Sequence, residues 1–147
     1  MSDFGLSLSD LTLPAAMAPV MHAFAFEKST LDPLKSLSKY WGKISVLERL
    51  EDGAVWKLIE MNAGTRSSLE YHVRKEEIYF LISGQLDLRL RLGRAEDHTI
   101  TMNEGEYFRL IPGLMHQRIA VTGVKLLEWA SNDDPKDSHI VEDGMKP

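Results

Sequence analysis

Between Gly64 and Gly84 the chain reads GTRSSLEYHVRKEEIYFLISG, placing Glu70, His72, Glu76 and Glu77 within eight residues at the edge of an apolar run. Imidazoles and carboxylates are the donors that hold divalent transition metals. Glu70 and His72 are two apart. On a strand such residues share a face, roughly 6–7 Å from one another along the backbone. The polar stretch VRKE is long enough to turn the chain, and a returning strand EIYFLIS brings Glu77 back beside the pair. Glu76 reads as part of a solvated hairpin turn. A second imidazole, His116, follows the turn IPG in GEYFRLIPGLMHQR and opens another strand. Together, Glu70, His72, Glu77 and His116 predict a site for one divalent ion such as Zn, Mn, Fe or Ni.

These residues need strands to position them, and the sequence has the period. In QLDLRLRLG, Leu86, Leu88, Leu90 and Leu92 face one way while Asp87, Arg89 and Arg91 face the other, the pattern of a half-buried strand. KISVLERL, AVWKLIEM, HTITM, EYFRLI, HQRIAV and VKLLEWA continue the series. The turn signals EDG, NAG, SG, LGRAED, NEG, IPG and TG separate them. Eight or nine short strands without a convincing helix between them predict an all-β sandwich or barrel. Residues 1–38 hold three of the six prolines, Pro14, Pro19 and Pro33. They read as an N-terminal arm with one short helix around Ala15–Ala25 or after Leu31. Residues 39–132 form the β domain, and 133–147 read as a polar C-terminal tail on the surface.

The totals narrow the function classes. A length of 147 residues suits one domain, and 44% apolar with 27% charged residues is ordinary for a soluble protein. No run of apolar residues is long enough to span a bilayer, and MSDFGLSLSD lacks the basic flank of a secretory signal. Without cysteine there are no disulfides and no thiolate ligands. A net charge of −5 argues against nucleic acid. The expectation is a cytoplasmic protein with a small-molecule substrate and no membrane or nucleic-acid partner. Exposed strand edges also favour pairing, so a homodimer is expected.

The two histidine-bearing segments resemble the two motifs of the cupin superfamily. The first family motif is Gly, five residues, His-x-His, three or four residues, Glu, six residues, Gly. Here it runs from Gly64 through Glu70-Tyr71-His72 and Glu77 to Gly84, with Glu70 where His is usual. The second is Gly, five residues, Pro-x-Gly, two residues, His. Here it runs from Gly105 through Ile111-Pro112-Gly113 to His116, with Ile111 in place of the first proline. The resemblance covers roughly residues 40–132. It implies a double-stranded β-helix, the jelly-roll cupin barrel, with Glu70, His72, Glu77 and His116 holding a metal inside. More narrowly, SSLEYHVRKEE, KYWG at 39–42 and the acidic ending EWASNDDPKDSHIVEDG resemble the cupin domain of type II phosphomannose isomerases. In that family Gln stands at the Glu70 position and Arg at the Lys75 position.

That resemblance implies a metal-dependent isomerase or epimerase of a sugar or sugar phosphate. Such chemistry needs a base within reach of a carbon-bound proton and cations for the phosphate. Glu128 and Lys57, each on a strand, are the candidate catalytic groups. Arg66, Lys75, Arg109 and Arg118 flank the motifs and are candidate anion binders. Trp41 and Tyr79 either line the pocket or pack in the core. Two alternatives remain open. With Glu70 and Glu77 both ionised, a bound dication is neutralised and becomes a weaker Lewis acid, which suits a dioxygenase or related oxidoreductase. A barrel without catalysis that binds a small metabolite fits the same residues.

Overall fold

Alternating residues of the central segments sort onto two faces and become strands in a computed structural model that describes residues 29, 30, 32 and 35–144. The chain divides after Thr30, and the unit Leu31–Pro147 carries every described strand. In order these are β1 (Ser36–Lys39), β2 (Gly42–Arg49), β3 (Val55–Met61), β4 (Leu69–Tyr71), β5 (Glu77–Ser83) and β6 (Leu86–Leu92). They continue with β7 (His98–Met102), β8 (Tyr107–Leu110), β9 (Leu114–Ala120), β10 (Val124–Ala130) and β11 (His139–Glu142). Among the described residues helical geometry is confined to Lys35 and a 3-10 turn, Pro135–Asp137, and no helix is long and apolar enough to cross a membrane.

Two antiparallel sheets result, one in the order β1-β2-β3-β10-β5-β8 and the other β11-β4-β9-β6-β7. The core lies between them. Ile59, Leu81 and Leu126 come from the first sheet and Leu86 and Leu88 from the second, all fully buried. Each such side chain contributes about 1.5–3 kcal/mol relative to an exposed one. Consecutive strands belong to different sheets wherever the chain crosses over, as from β5 to β6 and from β8 to β9. This is the jelly-roll arrangement of a double-stranded β-helix. The β5–β6 corner depends on Gly84, at φ 91°, where a Cβ would lie 2.1 Å from the Gly123 carbonyl oxygen.

Three expectations change. Leu92, grouped with the inward leucines, is 59% exposed because β6 ends there beyond the reach of the facing sheet. The boundary at residue 38 falls within β1, which pairs with β2 from Ser36↔Ser45 to Lys39↔Gly42. The segment read as a polar tail contributes the 3-10 turn and β11, whose cross-strand partner is β4. Four residues, HIVE, are too few to show a period of their own. The helix expected around Ala15–Ala25 lies outside the described residues; after Leu31, Lys35 is in 3-10 geometry and β1 follows from Ser36.

Candidate metal centre

Strand pairing converts local spacing into a cluster. Glu70 on β4 lies directly opposite His116 on β9. His72 follows β4 immediately, and Glu77 opens β5 after the hairpin. Single ligand atoms of Glu70, His72 and His116 all lie within 4.8 Å of one another. Glu77 Oε2 lies 3.5 Å from His72 Nε2 and 3.2 Å from His116 Nε2. Both imidazoles and the Glu77 carboxylate are buried.

The hydrogen bonds identify which nitrogen carries the proton on each ring. His72 Nδ1 is 2.9 Å from the Asp137 carbonyl oxygen, and His116 Nδ1 is 3.0 Å from that of Leu114. A carbonyl only accepts, so each neutral ring donates from Nδ1 and keeps its lone pair on Nε2. Neither Nε2 has a hydrogen-bond partner, although both are buried. With both rings neutral, two lone pairs and a carboxylate converge on one point. A cation satisfies all three, and two imidazoles with two carboxylates suit a divalent transition ion. Burial by itself raises the Glu77 pKa, but the two imidazoles outweigh it and hold the carboxyl well below the usual range. Burial likewise pulls His72 down, and the adjoining Glu77 carboxylate more than reverses this.

The supports come from far along the chain. Ser138 donates its hydroxyl to Glu70. For Glu70, burial raises the pKa, while Ser138 and the Arg118 charge lower it further than that. The buried Asp137 carboxylate accepts the backbone N–H groups of Val73 at 2.9 Å, Arg74 at 3.1 Å and Lys75 at 2.8 Å. It thereby fixes the turn between His72 and Glu77. The Gly113 N–H donates to the His72 carbonyl at 2.7 Å, tying the IPG turn to the first hairpin.

Several solved structures share this architecture. Capsular polysaccharide assembling protein CapF from Staphylococcus aureus superposes with a TM-score of 0.70 at 17% identity, over 78% of this chain and 33% of that one. CapF with the inhibitor 3-isopropenyl-tropolone gives 0.67 at 17% identity, over 73% and 34%. A variant of oxalate decarboxylase from Bacillus subtilis gives 0.65 at 14% identity, over 72% and 30%. The fold is a cupin barrel. The chain spans about a third of the length of these structures, and at such identities the likeness concerns fold alone. No family model and no curated protein matches the sequence.

The cupin barrel opens through a cavity of about 340 Å³ beside Glu70, lined among others by Trp41, Lys57, Lys75, Arg118 and Ser138. A larger hollow of about 440 Å³, between Lys43, Met61 and Val124, has no histidine in its lining. Lys57, Glu128 and Tyr79 stand in register across β3, β10 and β5. Glu128 is buried, with Arg118 Nη1 3.5 Å from its Oε2. Burial first, and the Glu77 charge second, push the Glu128 pKa up to about 7. Lys57 is bound to Asp133, which burial would raise but which Lys57 and Arg49 hold below the usual range. Lys75 Nζ is 3.0 Å from Glu77 Oε1. Tyr79 is buried, its hydroxyl 3.5 Å from Glu77 Oε2.

Two expected anion binders lie elsewhere. Arg109 is exposed on the outer face of β8, paired with Glu76, because its neighbours Phe108 and Leu110 turn inward. Glu76 is accordingly part of the outer hairpin, as its position in the turn suggested. Arg66 donates from Nε to the Gly144 carbonyl at 3.3 Å and does not line the cavity. Asp133, Asp137 and Ser138 were not anticipated. The cue was the run SNDDPKDS, whose Asp residues before and after a proline are turn and cap formers. Asp134 caps the 3-10 turn by accepting the Lys136 N–H at 3.0 Å.

Proposed function

We propose that this cupin barrel is a metal-dependent enzyme that moves a proton between neighbouring carbons of a small polyoxygenated substrate, as a sugar or sugar-phosphate isomerase or epimerase does. The convergence of two buried imidazole Nε2 atoms on Glu77 carries this reading. Glu70, His72, Glu77 and His116 would hold the ion, which when bound polarises substrate oxygens. Glu128 is the acid–base. With its pKa near neutrality it takes up a carbon-bound proton and returns it to the adjacent carbon. Burial keeps bulk water from competing for that proton, and Arg118 steadies the carboxylate. Lys75 is positioned beside Glu77 and anchors the rim of the cavity.

Metal analysis of untagged protein, with His116→Ala as control, is the direct test. We expect close to one divalent ion per chain, lost in the variant. Wild-type protein free of metal after growth in metal-replete medium would overturn the reading. Solvent deuterium entering a sugar in heavy water would then report the proton transfer. The two ionised carboxylates, Glu70 and Glu77, favour a second reading, oxidation by dioxygen at an Fe or Mn centre. It predicts oxygen uptake by the loaded protein, and none in the isomerase. Pairing into a homodimer belongs to the same proposal. Phe80 and Tyr107, in register on the outer face of the first sheet, are exposed beside Ile82 and offer it an apolar surface.

A further inference from the structure

Arg118 is a loosely paired charge in the barrel. It is buried, and its guanidinium carbon lies 5.1 Å from the centroid of the Trp41 ring and 5.6 Å from that of Tyr79. Both rings lie within cation–π reach of the group. Its Nε has no hydrogen-bond partner, and Nη1 meets only Glu128, at 3.5 Å. Of the lysines at the cavity, Lys57 is paired with Asp133 and Lys75 with Glu77, while Lys39 is exposed.

Resting on the metal reading above, we propose that the substrate is a small hydroxy- or oxo-carboxylic acid, a sugar acid rather than a sugar phosphate, whose carboxylate is received by Arg118. A planar guanidinium edge matches a planar carboxylate with two parallel hydrogen bonds. A phosphate dianion carries more charge to be met, and of the cavity's lysines Lys57 and Lys75 already have acid partners, which leaves only the exposed Lys39 beside Arg118. Distance sets the size. Arg118 and His116 are two apart on β9, both buried, roughly 6–7 Å along the strand. One small molecule therefore spans from the arginine to the ligand cluster. The cavity of about 340 Å³ lies at the small end of ligand pockets, roughly 300–1,000 Å³.

The test is calorimetric binding and thermal shift of the full chain with D-glucuronate and D-gluconate, against D-glucose and glucose 6-phosphate. Wild type, Arg118→Lys and Arg118→Met are compared, and metal content is measured in parallel. We expect at least one acid to bind at least tenfold more tightly than glucose and glucose 6-phosphate. We expect Arg118→Met to lose roughly tenfold or more of that affinity with unchanged metal content, and Arg118→Lys, which keeps the charge but not the fork, to recover only part. If Arg118→Met does not fold, the lysine variant and the acid-to-phosphate ratio in wild type decide the matter. Preference for the phosphate, binding of neither acid, or full affinity in Arg118→Lys overturns the proposal. Protein that holds metal but prefers the phosphate refutes the acid and keeps the metal. Protein that binds the acid through Arg118 without metal does the reverse.

Discussion

Replacing Glu128 with glutamine should make the metal-free protein more stable, and more so as pH rises. The side chain is fully buried between Lys57 and Tyr79 in the sheet register, with Glu77 as its repulsive neighbour and Arg118, Lys57 and Lys75 as weaker attractive ones. Its pKa rises from 4.5 to about 7. A carboxyl that binds its proton more tightly when folded contributes stability that is fully present below pH 4.5 and lost as pH rises through about 7. With those two values, the loss between pH 5 and pH 8 comes to about 2.5 kcal/mol. Glutamine keeps the shape and cannot ionise. Urea unfolding of wild type and Glu128→Gln in chelator, at both pH values, isolates this group, since the other titrations are common to both proteins. The variant should gain about 2.5 kcal/mol on wild type between pH 5 and pH 8, or roughly 5–10 °C in melting temperature. A stability difference that is the same at both pH values would refute the buried, proton-holding Glu128 and with it the acid–base assignment.

Ser138→Ala removes the hydroxyl that orients Glu70 and should weaken metal affinity by roughly 10–100-fold, measured by chelator competition, with the fold unchanged by circular dichroism. Equal affinity would mean that Glu70 needs no such support. Gly84→Ala and Gly105→Ala separate backbone conformation from crowding. Both glycines have positive φ, 91° and 84°, but a Cβ at Gly84 meets the Gly123 carbonyl oxygen at 2.1 Å, whereas at Gly105 it meets open space. Gly105→Ala should cost about 1–2 kcal/mol from the left-handed backbone alone, and Gly84→Ala clearly more. Equal losses in denaturant unfolding would contradict the crowded corner.

Much of the barrel was legible because its signals are local. Leu86, Leu88 and Leu90 alternate with Asp87, Arg89 and Arg91, and a period of two needs no knowledge of the partner strand. Glu70, His72 and Glu77 were legible for the same reason, since one hairpin brings them together. The burial of Phe108 and Leu110 sends Arg109 outward, a direction that its own strand's alternation contained. Arg118 differs. Its place on β9 was readable, but its ring neighbours Trp41 and Tyr79 come from other parts of the chain.

The sequence by itself determined a set of alternating strands, the glycine-marked turns between them and the donor atoms available for an ion. Tertiary structure alone decided how those donors are held. Asp137 reaches back more than sixty residues to fix the turn at Val73–Lys75, Ser138 reaches Glu70, and Asp133 takes Lys57 out of the charge balance. Such contacts form only when the sheets close and β11 docks on β4. The same closure buries Glu128 beside Glu77 and lifts its pKa, because the cost of a charge depends on the water and the other charges around it.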